Sequence, residues 1–266
     1  MKLPVLFLIV LFFVSCQSYM EPLEELNPSV GLWYDKPARE WTDALPVGNG
    51  RLGAMIYGGA ASDTIQFNEE TLWSGQPHDY ANEGAHQYLA QIRQLLWSGQ
   101  QAEAEQLANE QFMSEPFGQL CYQAFGSVIL NFPEHERAVN YRRQLDLRNA
   151  VASVIYEVDD VKYKREVLAS NPDQSIIIHL EADKNGALNF SAGFNCPHEN
   201  YSVSIENNQI ILKGKANNYP SRAGRDGKPY PESKLTFEAR LKVVNEGGGI
   251  VEDNQTLKVV NARKAT

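Results

Sequence analysis

Short runs of alternating apolar and polar residues, separated by compact turns, occupy most of this chain and constrain its fold more than any other feature. The pattern is clear in ASVIYEV, VKYKREV, SIIIHLEA and LTFEARLKVV. Side chains of a strand alternate between the two faces of its sheet, so each run predicts a strand with one buried face. Turn-forming residues separate the runs, as at Asp159-Asp160, Lys184-Asn185-Gly186, Asn207-Asn208, Asp226-Gly227 and Gly247–Gly249. Without strand–helix repeats, these features predict a mainly β fold, a large antiparallel sandwich.

One segment of the chain has a helical period instead. Apolar side chains recur at helical spacing between Ala85 and Trp97, at Tyr88, Leu89, Ile92, Leu95 and Leu96. A second helix is predicted over Ala102–Phe112, and Gly99 separates the two. We predict an inserted helical hairpin at about 83–113 that covers one sheet edge. A partner-binding amphipathic helix is the weaker alternative.

Composition and charge exclude several classes of protein. The chain has 266 residues, 43% of them hydrophobic, which is enough for a large core and rules out a disordered protein. Its 24 basic and 33 acidic residues give a net charge of -9, so nucleic acid is not an expected partner. The aromatic and amide content suits a neutral sugar, whose ring faces stack on indoles and whose hydroxyls take hydrogen bonds.

The N-terminus predicts export. Lys2 precedes an apolar run, Leu3–Val14, which has signal-peptide length and is too short to span a bilayer. The run ends at VSCQS, which resembles a bacterial lipoprotein signal cut before Cys16. We therefore predict a signal peptide over 1–15, lipidation of Cys16, a tether over 16–30, and a bacterial protein anchored in the periplasm or at the outer-membrane surface. An ordinary secretory signal is the alternative.

The segment that follows Gly31 contains a glycine-rich turn and an unusual polar cluster. Gly48, Gly50 and Gly53 lie before strand residues and lack the lysine of a phosphate loop, so they predict a hairpin. The next stretch, IQFNEETLWSGQP, alternates like a strand and then collects an amide, two carboxylates and a tryptophan. We expect a strand over Thr64–Trp73 that pairs with Met55–Gly59.

The residues themselves supply no convincing catalytic machinery. Glycosidases need two facing carboxyl groups, and the candidates are Glu69, Glu70, Asp35 and Asp43. Adjacent strand residues point to opposite faces, so Glu69 and Glu70 cannot both line one site. The histidines, His78, His86, His135, His179 and His198, have no metal-ligand spacing. Cys121 and Cys196 form no metal motif either, although a disulfide between them or two buried thiols both remain open. No metal and no cofactor are expected.

Several ordered motifs resemble a known family. The stretches LWYDKPAREWTDALPVGNGRLGAMIYGG, IQFNEETLWSGQP, YQAFGSVILNF and the run from Tyr141 to Ala182 look like the N-terminal domain of glycoside hydrolase family 95, the inverting α-L-fucosidases and relatives. Phe125, the second residue after YQ, departs from the Pro or Leu expected in the family. The resemblance covers about 31–266 and implies a β-super-sandwich that precedes a catalytic (α/α)6 barrel, where the family's catalytic residues lie.

The resemblance also shapes what we expect of this chain. It ends at Thr266 in what resembles the last strands of the sandwich, so we expect the barrel to be absent and no residue here to be catalytic. Asn68, Glu69 and Trp73 are candidates for the rim of the sugar pocket. In the competing structural interpretation, Trp33, Trp41 and Trp73 provide core or interdomain packing, and the Asn and Glu residues form turns.

Two functional hypotheses follow from these features. In the first, the chain is the N-terminal domain of an exported hydrolase that resembles α-L-fucosidases and acts on fucosylated glycans, with a separate catalytic barrel as its partner. In the second, it is a lipid-anchored carbohydrate-binding β module without hydrolytic activity. In both, the membrane is contacted only through the lipid anchor.

Overall fold

The fold is mainly β, as the sequence predicts. The computed structural model describes residues 30–114, 120–218 and 232–266. The strands in these ranges are β1 (Gly31–Tyr34), β2 (Leu45–Gly48), β3 (Leu52–Ile56), β4 (Ser62–Glu69), β5 (Gly126–Asn131), β6 (Val139–Asp146), β7 (Val151–Val158), β8 (Val161–Ser170), β9 (Ser175–Ala182), β10 (Leu188–Asn195), β11 (Asn200–Glu206), β12 (Gln209–Lys215), β13 (Thr236–Lys242), β14 (Asn245–Glu246), β15 (Gly249–Asp253), β16 (Thr256–Ala262) and β17 (Lys264–Ala265). The helices are α1 (Leu89–Trp97) and α2 (Gln101–Leu107), with short 3-10 or π turns at Trp41–Asp43, Ala85–Tyr88, Ala108–Phe112 and His135–Arg137.

The strands form three antiparallel sheets. The first has seven strands in the order β1-β6-β7-β8-β9-β17-β14, and the second has seven in the order β15-β16-β10-β5-β4-β3-β2. The third has three strands, β11-β12-β13. The main core lies between the two large sheets, because the inward residues of both contribute to one buried cluster that includes Ile65, Leu130, Val154 and Val167. The predicted antiparallel sandwich is confirmed.

Tight turns connect neighbouring strands where the sequence predicts them. Asp159 and Asp160, between β7 and β8, both have positive φ (48° and 60°), as do Asn207 and Asn208 between β11 and β12 (51° and 58°). Two residues with positive φ match the right-handed twist of the strands they join, and Asp and Asn tolerate this conformation. The predicted turn at Asp226-Gly227 lies outside the described residues.

The hairpin of β3 and β4 differs from its predicted bounds. Leu52 pairs with Glu69 and Ile56 with Ile65, so the partner strand is Leu52–Ile56 and not Met55–Gly59. Strand β4 ends at Glu69 and not at Trp73, because the Glu69 carboxylate accepts hydrogen bonds from the next-but-one residue, Thr71, and turns the chain out of the sheet. The alternation of apolar and polar residues does not reveal the turn at Glu69–Thr71 that ends β4.

The inserted helical hairpin is present, but among the described elements its main contacts are within the hairpin and not with the predicted sheet edge. Helix α1 ends before Gly99, which has a φ of +78° that glycine adopts without strain. The two helices pack mainly on each other, with Ile92 of α1 and Ala104 of α2 buried. Trp97 is 83% exposed. Ile92 and Ala104 are the only buried residues of α1 and α2, so the two helices offer little further apolar surface to a sheet.

A buried ion pair joins the two large sheets. Asp63 of β4 is 0% exposed and Arg165 of β8 is 2% exposed, and their side chains are hydrogen-bonded. The second carboxylate oxygen of Asp63 accepts the backbone N–H groups of Gly58 (2.7 Å) and Gly59 (3.1 Å). The Arg165 guanidinium lies over the Phe132 ring at 4.5 Å. Each charge therefore has its main partner in the interior, as buried charges require, although the Arg165 Nε–H finds no hydrogen-bond acceptor among the described residues.

Candidate functional site

The loop that follows β4 contains Trp73, one of the three residues predicted for a sugar rim, and the other two, Asn68 and Glu69, are the last residues of β4. The Glu69 carboxylate starts the loop by accepting hydrogen bonds from the Thr71 backbone N–H (2.8 Å) and from the Thr71 hydroxyl (2.6 Å). Leu72 then turns inward and is 2% exposed in a second apolar cluster with Phe125 and Leu212. Anchoring of Leu72 directs the next side chain, Trp73, away from the core.

Backbone hydrogen bonds fasten this loop to the segment before β5. The N–H of Ser74 donates to the carbonyl of Cys121, and the N–H of Gln123 donates to the carbonyl of Leu72, both at 2.9 Å. Gly75 follows with a φ of +95°, and a Cβ there would lie 1.9 Å from the Leu120 side chain. Glycine at position 75 is thus required by the close approach of two chain segments.

Trp73 and Tyr122 form an exposed aromatic pair on this framework. Their ring centroids are 5.3 Å apart with an interplanar angle of 53°, and the two residues form an isolated β-bridge. The Trp73 indole N–H donates to the carbonyl of Glu70 (3.1 Å), and the Tyr122 hydroxyl donates to the carbonyl of Glu69 (2.9 Å). Trp73 is 38% exposed and Tyr122 44%. Both rings are therefore held in place while they present apolar surface to solvent.

Glu69 is an ionised carboxylate with a structural role. Partial burial raises its pKa, but the hydrogen bonds from Thr71 and the charge of Arg51 outweigh that effect and hold the pKa below the ordinary value of 4.5. Arg51 lies 3.5 Å from the carboxylate and also donates to Gln174 through Nε (2.7 Å) and Nη2 (3.1 Å). A general acid must hold a proton near the working pH, so Glu69 is poorly suited to that role at neutral pH.

The three predicted rim residues do not share one concave surface. Glu69 lines a cleft of about 280 Å³ at the edge of the sheets, whereas Trp73 lines a separate hollow of about 380 Å³ with Tyr80, Pro77 and Leu235. Asn68 lines neither of them, and its side-chain oxygen accepts the backbone N–H of Glu69 at 3.1 Å. Glu69 and Trp73 are instead connected through Tyr122.

The fold gives no catalytic role to the other carboxylates that the sequence offers as candidates. The Asp43 carboxylate accepts the backbone N–H of Arg39 (3.3 Å), which caps a short turn. Glu70 contributes its backbone carbonyl to Trp73. Across the described ranges, we find no group of three or more His, Cys, Asp or Glu side chains that would hold a metal ion.

The buried histidines are part of the fold. His135 is hydrogen-bonded to the Tyr156 hydroxyl (2.9 Å), and burial, with the charge of Arg165, lowers its pKa. His198 is bonded to the Ala124 carbonyl (3.0 Å) and accepts the N–H of Asn217 (3.2 Å). Cys121 and Cys196 are half-buried free thiols, so a disulfide between them is not formed.

Several predictions concern residues that lie outside the described ranges. These are the signal peptide over 1–15, lipidation at Cys16, the tether over 16–30 apart from its last residue, and most of the loop Ala223–Ser233. None of the helices found within the described ranges is both long and apolar enough to cross a membrane.

Sequence reasoning missed two residues that organise the site. Tyr122 completes the aromatic pair, and it lies in the YQAFG stretch that carries part of the family resemblance. Arg51 connects Glu69 to the turn before β9 through Gln174. An aromatic or a charged residue gives no sequence signal of a partner that is dozens of positions away.

Comparison with known proteins identifies the family. The family model described as "Glycosyl hydrolase family 65, N-terminal domain" matches residues 32–266. The chain is 38% identical over 239 residues to "Alpha-L-fucosidase 2" of Arabidopsis thaliana, which covers 86% of this chain and 28% of the relative. It is 27% identical over 250 residues to "Probable alpha-fucosidase A" of Aspergillus niger, covering 88% of this chain and 29% of the relative.

A second fungal relative extends the same pattern. "Probable alpha-fucosidase A" of Aspergillus oryzae is 23% identical over 170 residues, which cover 60% of this chain and 23% of the relative. The chain thus spans less than a third of the length of the curated relatives that it matches. The resemblance to the N-terminal domain of the α-L-fucosidase family is confirmed, and the chain belongs to the family of glycosyl hydrolase N-terminal domains.

Proposed function

We propose that this chain is the N-terminal domain of an exported glycoside hydrolase that resembles inverting α-L-fucosidases and acts on fucosylated glycans. The observation that carries the proposal is the 38% identity with Alpha-L-fucosidase 2 across 86% of the chain. Because the match covers 86% of this chain and 28% of the relative, we infer that the domain has the place in its whole protein that the matched segment has in the relative. Chemistry at the sugar bond is then the task of a catalytic barrel, the partner of this domain.

The fixed loop after β4 is the part of the domain best suited to border the sugar pocket. Trp73 and Tyr122 offer exposed aromatic faces that two backbone-directed hydrogen bonds hold in position. Aromatic faces bind the apolar faces of sugar rings, and a rigid platform loses little conformational entropy on binding. In this proposal Trp73 stacks on the glycan, Asn68 and Glu69 shape the loop, and no residue of the chain is catalytic.

Exposed apolar side chains near the N-terminus support a second role, contact with the catalytic barrel. Trp33 is 54% exposed and Trp41 is 55% exposed, so neither tryptophan belongs to the core. Arg142 lies over the Trp33 ring at 4.9 Å. Exposed aromatic surface of this kind is typical of interaction sites.

Activity assays test the proposal. The purified chain alone should release no fucose from 2'-fucosyllactose or a nitrophenyl fucoside above background. A chimera in which residues 30–266 replace the matched segment of the Arabidopsis relative should release it. Fucose release by the chain alone, abolished by Glu69→Gln or Glu70→Gln, would place the chemistry in this domain and contradict the proposal.

The exposed aromatic pair also gives some support to the second hypothesis, a carbohydrate-binding module. A glycan array distinguishes the two. Binding of a defined glycan by the chain alone, lost in Trp73→Ala, would favour the module, whereas glycan recognition only by the chimera favours the enzyme domain.

Export and anchoring are part of the proposal and rest on the sequence FVSCQS. Expressed with its own leader in a Gram-negative host, the protein should incorporate labelled palmitate, and Cys16→Ala should abolish the label. Equal labelling of the Cys16→Ala protein would contradict a lipid anchor at Cys16.

A further inference from the structure

The cleft of about 280 Å³ at the sheet edges has two walls that are both strand edges. One wall is the start of β9 with the residue before it, Gln174–Ile178, and the other is the second half of β13, Glu238–Leu241. Its floor is apolar and contains Phe67, Phe125 and Phe194. The cleft therefore separates an edge of the first seven-stranded sheet from an edge of the three-stranded sheet.

Both walls have open backbone edges within the described part of the chain. Strand β9 pairs with β8 along its whole length, but on its other side β17 reaches only Leu180 and Glu181. Strand β13 pairs with β12 and has no second described neighbour. An unpaired strand edge presents N–H and C=O groups that bind another strand.

Strand β17 already fills the gap at one end. Ala265 pairs with Leu180 of β9 on one side and with Asn245 of β14 on the other. Thr266 and Val244 exchange two backbone hydrogen bonds, each of 2.8 Å. Only Val243 and Val244 separate β13 from β14 in the chain. Strand β17 therefore lies between β9 and the β13–β14 segment and spaces them one strand apart. The cleft is the continuation of this one-strand gap between β9 and β13.

The register of β17 also fixes which side chains would meet inside the cleft. In line with β17, the first position after Thr266 would lie between Ile178 and Val243, and the third between Ile176 and Leu241. All four side chains pack in or against the main core. Ala265 is 2% exposed, so these positions point inward as Ala265 does.

We propose that this cleft is the seat of one further β-strand, an extended polypeptide segment in line with β17 and antiparallel to β9 and β13. Its side chains are apolar at the first and third positions. It has room for about four residues, opposite Ile178 to Ser175, because Gln174 lies in the turn before β9 and its carbonyl already accepts Arg51. The strand joins the three-stranded sheet to the first seven-stranded sheet.

The charges around the cleft favour a strand over a small polar ligand. Arg51 is paired with Glu69 (3.5 Å), and Arg240 with Glu238 (2.5 Å). Because these charges have partners already, the groups that the walls offer are apolar side chains and backbone amides. Those are the groups that an added strand uses for affinity and register.

The test adds such a strand to the full chain and measures amide hydrogen exchange by NMR in the monomeric fraction. The chain carries the extension Val-Thr-Val-Thr-Val-Thr after Thr266. The amides of Ile176 and Ile178 point away from β8, because strand N–H directions alternate and Ala182 donates to Arg263 of the β17 side. We expect their exchange to slow by about a hundredfold, with little change at Ile177, which faces β8.

Two matched extensions serve as controls. A Gly-Ser extension of equal length should give no protection, and the phase-inverted Thr-Val-Thr-Val-Thr-Val should give much less, because its valines would face solvent. Unchanged exchange in the Val-first chain, or equal protection by all three extensions, would overturn the proposal. Since the readout is exchange and not fucose release, the outcome is independent of the proposed enzymatic role.

Discussion

Strand β4 carries a carboxylate–arginine pair at each end, and the two pairs have opposite surroundings. Near its start, Asp63 binds Arg165 of the facing sheet, and both side chains are almost completely buried. At its end, Glu69 lies 3.5 Å from Arg51, with side chains 19% and 41% exposed. The same kind of ion pair thus occurs twice, six residues apart on one strand. One pair lies in the protein interior, and the other supports a surface loop.

The difference teaches that burial, and not the presence of an ion pair, decides what each pair contributes. A buried charge that loses its partner retains its full desolvation cost, whereas an exposed charge is solvated by water. The Asp63 pair therefore fixes how the two large sheets meet. The Glu69 pair shapes the loop that presents Trp73, and we expect the sandwich to stay intact without it.

The largest expected effect comes from breaking the buried pair. Asp63→Ala leaves Arg165 charged and unpaired in the core and removes the acceptor of the Gly58 and Gly59 amides. We expect the free energy of unfolding to fall by about 3–5 kcal/mol, measured by urea denaturation. A loss of unfolding free energy below about 1 kcal/mol would contradict the burial of the Asp63–Arg165 pair in the core.

A double replacement separates the two causes of that loss. Asp63→Leu combined with Arg165→Met removes both charges, but the two glycine amides still lack their acceptor. The double variant should therefore be more stable than Asp63→Ala and still less stable than the original chain by about 1–3 kcal/mol. A double variant as unstable as Asp63→Ala would contradict the unpaired Arg165 charge as the main cause.

A smaller effect is expected from the buried histidine beside this pair. Burial and the charge of Arg165 lower the pKa of His135, so the native imidazole stays neutral where the unfolded chain takes up a proton. The stability that it contributes is present above its ordinary pKa of 6.5 and is lost as pH falls through the lower native value. Between pH 7 and pH 5, the unfolding free energy should therefore fall, and His135→Phe should make that decline shallower.

The pH slope should not vanish in that variant. Burial also lowers the pKa of His198, so His198 contributes a decline of the same sign. An unchanged slope in His135→Phe, measured by urea denaturation at each pH, would contradict a neutral buried His135.

The smallest effect on stability is expected at the exposed end of β4. Glu69→Gln removes the charge opposite Arg51 and keeps a side-chain oxygen that accepts the Thr71 hydrogen bonds. We expect a loss of about 0–1 kcal/mol, because exposed ion pairs contribute little. A loss of stability as large as that of Asp63→Ala would contradict the claim that the buried pair contributes more to stability than the exposed pair.

Sequence reasoning predicted the class of fold because strand alternation and turn chemistry are local. The turns at Asp159-Asp160 and Asn207-Asn208 were correct for that reason, and so was the break between the helices at Gly99. The end of β4 was wrong because a single side chain, Glu69, stops the strand through Thr71. Local periodicity does not report such a hydrogen bond.

The candidate site was predicted only in part, because its contacts are distant in sequence. Trp73 stood out by its residue type, but its pairing with Tyr122 depends on the joining of two loops.

For the buried ion pair of Asp63 and Arg165, the sequence did contain a usable signal. Asp63 and Arg165 each occupy an inward position of an alternating strand, where a charge requires a partner.

The central claim is that the loop after β4 serves substrate binding in an enzyme whose catalytic groups lie in another domain. The most direct test is Trp73→Ala in the chimera with the Arabidopsis relative, with KM, kcat and Tm measured together on 2'-fucosyllactose. We predict that KM rises about tenfold, a change of about 1.4 kcal/mol, while kcat and Tm stay close to those of the unmodified chimera. An unchanged KM with a lowered Tm would contradict the claim and would assign Trp73 to packing alone.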